Sequence, residues 1–367
     1  MIDSRKRFLN TFDKILGLKG LEIGALNSPI IQLEDVVDRG EIFYLDHLST
    51  DELRGKYRAD TSVNIDNIVN VDFVCPDGDL VKAVAGNQFD YIIASHVIEH
   101  VPNVLKFLQD TAKILKPGGQ LFLIIPDKRF TFDAERPETT FGSVLDSFLS
   151  GDTKPSVKAV YDHFAKSVEM NAHEVWHGLL KDKQPKKLLS TQLAWELAND
   201  VKFNNGYYDV HVNIFTPQSF FEILERAILH NVVNFEVERF EDTKVGQLEF
   251  FTILKKPVEV SDEDVMKRCL RTIPAIKLEN ILSPYMPQVK ALSDAVESSS
   301  RVIENLQKEA NELRTEIKRN EAVIQQQQIS LDFLQSIIDR RSVKLTLSVV
   351  DNLYAVLRGK TKRKVNK

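Results

Sequence analysis

Cysteine is nearly absent from this chain of 367 residues: Cys75 and Cys269 are the only two. Two thiols build no disulfide framework, so a reducing compartment is the default. Long apolar runs are missing as well. The first residues, MIDSRKRFLNTFDKIL, are charged and amphipathic without an apolar centre, which excludes a signal peptide or a membrane span there. Basic residues are not in excess: 48 Lys and Arg against 53 Asp and Glu give a net charge of -5, which argues against nucleic-acid binding over the whole surface. A GxGxxG loop is also lacking, and a nicotinamide-binding domain needs that geometry to hold a pyrophosphate. With 43% hydrophobic and 28% charged residues, the chain can bury a large core and still carry an appendage. The expected setting is the cytoplasm.

The most informative stretch runs from Phe89 to Gly119, FDYIIASHVIEHVPNVLKFLQDTAKILKPGG, directly into QLFLIIPD. It reads as a buried strand (Phe89 to Ala94), a polar strand end at Ser95 and His96, a short helix, and an amphipathic helix. That helix is expected to stop at Lys116-Pro117-Gly118-Gly119, with a second apolar strand over Leu121 to Ile125. Apolar runs of this length between turn residues suit strands covered on both faces, hence a parallel sheet. Upstream, Leu18 to Gly24 forms a short strand ending Glu22-Ile23-Gly24 and followed by Ala25. A glycine there lets backbone approach a ligand that any side chain would block. Glu41 to Leu45 forms a second strand ending at Asp46, and Asn70 to Val74 a third, ending Cys75-Pro76-Asp77-Gly78-Asp79.

These residues resemble the class I S-adenosylmethionine (SAM)-dependent methyltransferases, and in particular the type 11-like members associated with bacterial surface-polysaccharide biosynthesis. The Leu-Lys-Pro-Gly-Gly before the fifth strand is a habitual signature of that family. The resemblance implies an α/β fold, a Rossmann-like seven-stranded methyltransferase sheet with a helical cap insertion, followed here by a long α-helical coiled coil. It implies SAM as cofactor, with Glu22, Gly24, Ala25 and Ser95 toward the methionine end. Asp46 then falls on the ribose hydroxyls and Asp77 and Gly78 near the adenine. The family's commoner GxGxG departs here: only its first glycine, Gly24, is present.

The expected domains are a SAM-binding core with an N-terminal helix (1–127), a helical acceptor cap (128–215), completion of the sheet (216–256), a linker (257–288), a coiled coil (289–338) and a basic amphipathic tail (339–367). Thr216-Pro217 starts a helix with an N-cap threonine and a proline at the first helical position. Asn234 to Phe240 and Leu248 to Leu254 pair as the last two strands. An insertion at the carboxyl edge of a parallel sheet lies over the ligand crevice, so 128–215 selects the acceptor.

From Val289, a seam at steps of three and four runs through Leu292, Val296, Ile303, Leu306, Ala310, Leu313, Ile317, Ile324, Leu331, Leu334 and Ile338, with Ser299, Asn320 and Gln327 filling polar core slots. Such a seam implies a coiled coil and a homo-oligomer. The tail sets Leu345, Val349, Leu353 and Val356 on one face, with Arg340, Arg341, Lys344, Arg358, Lys360, Lys362, Arg363, Lys364 and Lys367 at its ends. Basic amphipathic helices lie on anionic membrane surfaces, so a peripheral place at the inner face of the cell membrane is expected. A solvated C-terminal helix fits equally.

Methyl transfer needs orientation and a base when the acceptor is a poor nucleophile. His96 is the first choice for that base and His100 the second, since imidazole titrates near neutrality. Asp127, Lys128 and Arg129 leave the fifth strand and suit gripping a polar acceptor, with His163, His173, His177 and His211 in or beside the cap. Two metal-like spacings occur: HExxH at His173-Glu174-Val175-Trp176-His177 and HxxEH at His96-Val97-Ile98-Glu99-His100. A nucleotide fold accounts for the rest of the chain, so no metal is expected, and a zinc hydrolase using His173, Glu174 and His177 is a remote alternative. The function expected is O-methylation of a sugar or terminal group of a bacterial surface glycan. A weak or inactive methyltransferase fold that organises glycosyltransferase partners through its coiled coil is the rival.

Overall fold

The computed structural model describes residues 17–177, 186–258, 262–275, 286–339 and 341–362. The expected N-terminal helix therefore lies outside the described residues, as do Arg340 and 363–367 of the tail. The chain divides into two compact units, 1–288 and 289–367.

Seven strands form one sheet in the order β3-β2-β1-β4-β5-β7-β6. They are β1 (Lys19–Ile23), β2 (Glu41–Asp46), β3 (Phe73–Val74), β4 (Phe89–Ser95), β5 (Leu115–Pro126), β6 (Glu236–Glu241) and β7 (Glu249–Lys255). The first five run parallel; β7 pairs antiparallel with both β5 and β6. Side chains alternate across the pleat. Leu21, Ile92, Ala94, Leu121, Leu123 and Phe250 join one apolar cluster, while Tyr91, Ile93, Phe122, Ile124 and Phe251 join another. Burial on both sides is why these strands read as continuous apolar runs.

The crossover from β2 to β3 carries α1 (Thr50–Lys56), opened by a capping box between Ser49 and Glu52. After α2 (Leu80–Ala83) and β4 comes α3 (Val104–Ile114), capped by Asn103, whose side chain accepts from the Lys106 amide. The insertion is helical as expected: α4 (Phe141–Ser150), α5 (Val157–Lys166), α6 (Ala172–Trp176) and α7 (Thr191–Asn204). The next helix, α8 (Pro217–Leu229), has the Thr216 cap and first-turn proline read from the sequence. Its buried face presents Phe220, Phe221, Leu224 and Ala227 to the sheet.

Four details differ from expectation. Residues 98–100 form a turn, not a short helix. The third strand is two residues long instead of five, since only Phe73 and Val74 pair with β2. Lys116-Pro117-Gly118-Gly119 is not a reversal before the fifth strand; it is an irregularity within it. Leu115 pairs with Phe89 and Gln120 with Tyr91, so the four residues bulge out of the ladder. The bulge is tied to the end of β7, where Gly118 N donates to Lys256 O and Lys256 N to Gly119 O. Finally, part of the expected linker is core. Helix α9 (Asp262–Thr272) buries Val265 and Cys269 in the main cluster, and Thr272 Oγ1 accepts from Val237 N at 2.8 Å.

The second unit holds nearly all of α10 (Met286–Ile338) and all of α11 (Arg341–Lys362). In the single chain Ile303, Leu306, Leu313, Ile317, Ile324, Leu331 and Leu334 are all exposed, as are Leu345, Val349, Leu353 and Val356 of α11. Among the described residues no helix is long and apolar enough to cross a membrane.

Candidate active site

A cavity of about 600 Å³ opens at the carboxyl ends of β1 to β4. That is the crevice where open α/β sheets bind ligands, and the volume is in the range of small-molecule sites. Its floor is built from strand ends: Gly24 and Leu26 after β1, Asp46 and His47 at β2, Cys75 to Gly78 after β3, His96 and Val97 after β4. Backbone bonds lock these ends together, with Gly24 N on Leu45 O (2.9 Å), Cys75 N on Asp46 O (2.8 Å) and His96 N on Ile124 O (2.9 Å). Gly24 has φ +68°, and a Cβ there would stand 2.9 Å from Val97 Cγ2, so the turn beneath the ligand space favours glycine. Leu26 and His96 also hold left-handed φ, +48° and +54°, a conformation that costs non-glycine residues about 1 kcal/mol or more. Backbone strain of this kind concentrates at functional sites.

The insertion closes the cavity from above with Asp152, Thr153, Lys154, Tyr207 and Asp209. A chain of charged contacts crosses it. Asp46 Oδ1 takes both His47 N (2.7 Å) and His47 Nδ1 (2.6 Å). His47 Nε2 lies 3.4 Å from Lys56 Nζ, which pairs with Asp209 Oδ2 at 3.1 Å. Asp209 Oδ1 in turn lies 2.9 Å from His100 Nδ1. His100, then Lys56, hold the Asp209 carboxyl far below the usual carboxylate range in spite of its burial. Burial opposes charge on His100 and on Lys56, but Asp209 outweighs it in both, and their pKa values rise. His100 has further help from Glu99 and Asp133.

His96 sits between two buried carboxylates, with Nε2 2.6 Å from Glu249 Oε2 and Nδ1 3.5 Å from Glu99 Oε1. Glu249 opens β7, and the sequence gives no local hint that it faces a histidine at the end of β4. Lys56, Asp133, Tyr207, Asp209 and Glu249 are the site residues that sequence reasoning missed. They come from separate elements, and no short-range spacing links them.

Of the residues read as cofactor-binding, Gly24, Asp46, Asp77 and Gly78 line the cavity, as do His96 and His100. Glu22, Ala25 and Ser95 are not on its wall. Glu22 is buried, and its carboxylate accepts the amides of Ile30 (2.7 Å) and Ile31 (3.2 Å), shaping the loop after β1 from beneath. Ala25 packs with Ile31 and Ile42 on the opposite face.

Asp127, Lys128 and Arg129 were expected to grip an acceptor, and the structure turns Asp127 and Arg129 inward instead. Asp127 is fully buried; it accepts from Arg129 Nη2 (2.6 Å) and Thr243 Oγ1 (2.8 Å), and Asp242 stands 3.6 Å from the same guanidinium. Their role is to join the insertion to the β6–β7 pair. Lys128 is half-buried, with its pKa lowered by burial. His173 and His177 are exposed, with ring centroids 4.2 Å apart, on a helix of one turn. That helix is anchored by Trp176, which stacks on Phe130 at 4.2 Å and donates to Gln247 O at 2.9 Å. Among the described residues no third ligand joins the HExxH pair.

Comparison with known proteins fits this geometry. A family described as a methyltransferase domain matches residues 50–232. A ubiquinone biosynthesis O-methyltransferase of Parvibaculum lavamentivorans is 40% identical over 55 residues, 15% of this chain and 21% of that protein. The human mitochondrial ubiquinone biosynthesis O-methyltransferase is 42% identical over 55 residues, 15% of each chain. The chain thus spans about a fifth or less of the length of these curated relatives. A solved SAM-dependent methyltransferase of Aquifex aeolicus aligns over 69% of this chain and 89% of its own, at 14% identity and a TM-score of 0.35. With the seven-stranded sheet and the strand-end cavity, the match over residues 50–232 places the chain's α/β domain among the class I SAM-dependent methyltransferases.

Proposed function

We propose that this protein transfers the methyl group of SAM to a hydroxyl oxygen of a polar acceptor, and that the acceptor is a sugar of a bacterial surface glycan. The observation that carries the reading is the cavity at the ends of β1 to β4, with Asp46 on its wall and a glycine turn beneath. These residues fit the nucleoside: Asp46 commits only Oδ1 to His47, and Gly78, at φ +72°, has no atom within 4 Å of the place a Cβ would occupy. When bound, SAM supplies a methyl group activated by its sulfonium.

The chain's own residues supply orientation and proton removal. Glu249 engages His96 Nε2 and so fixes the ring, leaving Nδ1 as the nitrogen that receives the acceptor's proton. The relatives are named for oxygen methylation, which supports a hydroxyl as the nucleophile. Asp152, Thr153, Lys154 and Asp209 give the cap side of the cavity a polar wall, which favours a sugar over an apolar ring. The exposed stripe on α10 supports pairing with a second copy of this chain. The basic ends of the tail support contact with an anionic membrane surface, testable by liposome flotation with and without residues 340–367.

The test is calorimetric titration with SAM, followed by transfer of labelled methyl to a lipid-linked glycan fraction and to small phenols. Heat and labelled glycan are expected. Label in the phenols alone would replace the acceptor, and absence of heat would leave the scaffold reading. His96→Asn should lower kcat by about 10²- to 10⁴-fold with SAM affinity unchanged.

A further inference from the structure

Glu99 is a buried carboxylate whose side chain makes no hydrogen bond. It is 1% exposed, and neither side-chain oxygen has a hydrogen-bond partner. Its nearest ion-pair neighbour is His96 Nδ1, at 3.5 Å. An ionised carboxylate taken out of water costs several kcal/mol unless a cation or donors meet it. The backbone of the same residue explains what comes near. Glu99 O accepts from both Val212 N (2.7 Å) and Asn213 N (2.9 Å), and Asn213 Nδ2 donates to Val101 O (2.7 Å). These bonds stitch the end of the insertion to the turn after β4.

The stitching brings His211 against His100, with ring centroids 4.7 Å apart and planes at 86°. One ligand atom from each of Glu99, His100 and His211 then lies within 4.8 Å of the others, the only such group of three among the described residues. Ligands about 2.1 Å from one ion stand at most about 4.2 Å apart, so small side-chain rotations close the set. His211 is already oriented. Its Nδ1 lies 2.5 Å from Asp133 Oδ2, which leaves Nε2 to coordinate. Arg136 holds the pair, donating to Asp133 Oδ1 at 2.7 Å and to His211 O at 2.8 Å. Asp209 sits on the Nδ1 side of His100 at 2.9 Å. A carboxylate behind each imidazole is the outer-shell arrangement that fixes metal-binding histidines.

We propose that Glu99, His100 and His211 bind one divalent ion of the zinc class, and that this ion holds the acceptor's hydroxyl oxygen beside His96. Two imidazoles and a carboxylate favour zinc, iron or cobalt over magnesium or calcium. Three protein ligands leave a position open, and His100 lies on the cavity wall, so the open position serves the site already described. The ion's role rests on the methyl-transfer reading; its binding does not. In that role it acidifies the hydroxyl. The O–H bond breaks with its proton passing to His96. The oxygen then bonds to the methyl carbon, and the electron pair of the broken carbon–sulfur bond stays on sulfur.

The test is titration of metal-free full-length protein with Co²⁺ alone, followed by visible absorption, and with Zn²⁺ alone by calorimetry. One ion per chain is expected, with a cobalt spectrum that includes nitrogen ligation. Glu99→Gln and His211→Gln should weaken binding at least about 100-fold, and Asp133→Asn by about 10- to 100-fold. His173→Ala, in the exposed HExxH pair, should change nothing. Thermal unfolding of each variant identifies any that fail to fold, and the wild-type titration stands regardless of them. No stoichiometric ion in the wild type, equal affinity in the Glu99 and His211 variants, or loss of binding in His173→Ala would overturn the proposal. SAM heat with no metal binding would refute this site and leave the methyltransferase reading in place; metal binding without SAM heat would do the reverse.

Discussion

Replacing Asp46 tests whether the cavity holds a nucleoside in the manner argued. The side chain is 9% exposed, and Oδ1 is committed to two bonds from His47. A ligand hydroxyl therefore meets a carboxylate that is already held and oriented. A hydrogen bond to a charged group contributes about 1.5–3 kcal/mol, so Asp46→Ala should raise the Kd for SAM by about 10- to 150-fold. Asp46→Asn keeps an acceptor oxygen but loses the charge, and should fall between that variant and the wild type. Calorimetry reads both, and thermal unfolding confirms that the fold persists. The charged chain through His47, Lys56 and Asp209 offers an indirect route to the same loss, so His47→Asn is the necessary control. Affinity within about threefold of wild type in Asp46→Ala would refute the ribose assignment. A loss in His47→Asn as large as in Asp46→Ala would refute direct contact.

Three further outcomes follow from the packing. Gly20→Ala would put a Cβ 2.0 Å from Tyr91 Cζ, on a ring with no exposure. It should cost about 3 kcal/mol, a Tm loss of about 6–12 °C. Adding Tyr91→Leu should recover part of that, and strict additivity would refute the clash. Arg129→Leu leaves Asp127 buried without its guanidinium partner, and should cost about 3–5 kcal/mol while the KM for the acceptor stays unchanged; a stable variant with a raised KM would restore the gripping role. Truncation after Pro287 should sediment as a smaller particle that still gives SAM heat, and an unchanged mass per particle would reject α10 as the assembly element.

Much of the sheet was legible in the sequence because it rests on local signals. The apolar runs Phe89 to Ala94 and Leu121 to Ile125, and the Thr216-Pro217 helix start, correspond to β4, β5 and α8. Asp46 was legible through its distance from the first strand end. The misreadings have physical causes. Pro117-Gly118-Gly119 carries ordinary turn chemistry, but pairing with the chain after β7 draws it into a bulge, and Lys256 lies far away in sequence. Asp127-Lys128-Arg129 looks like a surface grip because charged residues at a strand end are usually solvated. Thr243 and Asp242, contributed after β6, turn the first and last of them inward. Glu99 precedes the insertion and His211 lies near its end, so only the folded chain joins them.

The insertion also begins and ends at one doorway. Asp127 and Phe215 form a single parallel bridge, Lys128 N donates to Phe215 O at 2.9 Å, and Thr139 N donates to Ile214 O at 2.9 Å. A segment that departs and returns through neighbouring residues imposes no geometry on the strands behind it. Under the proposed function, exchanging the whole module for another should redirect the choice of acceptor, provided the replacement brings back a residue able to face Glu99.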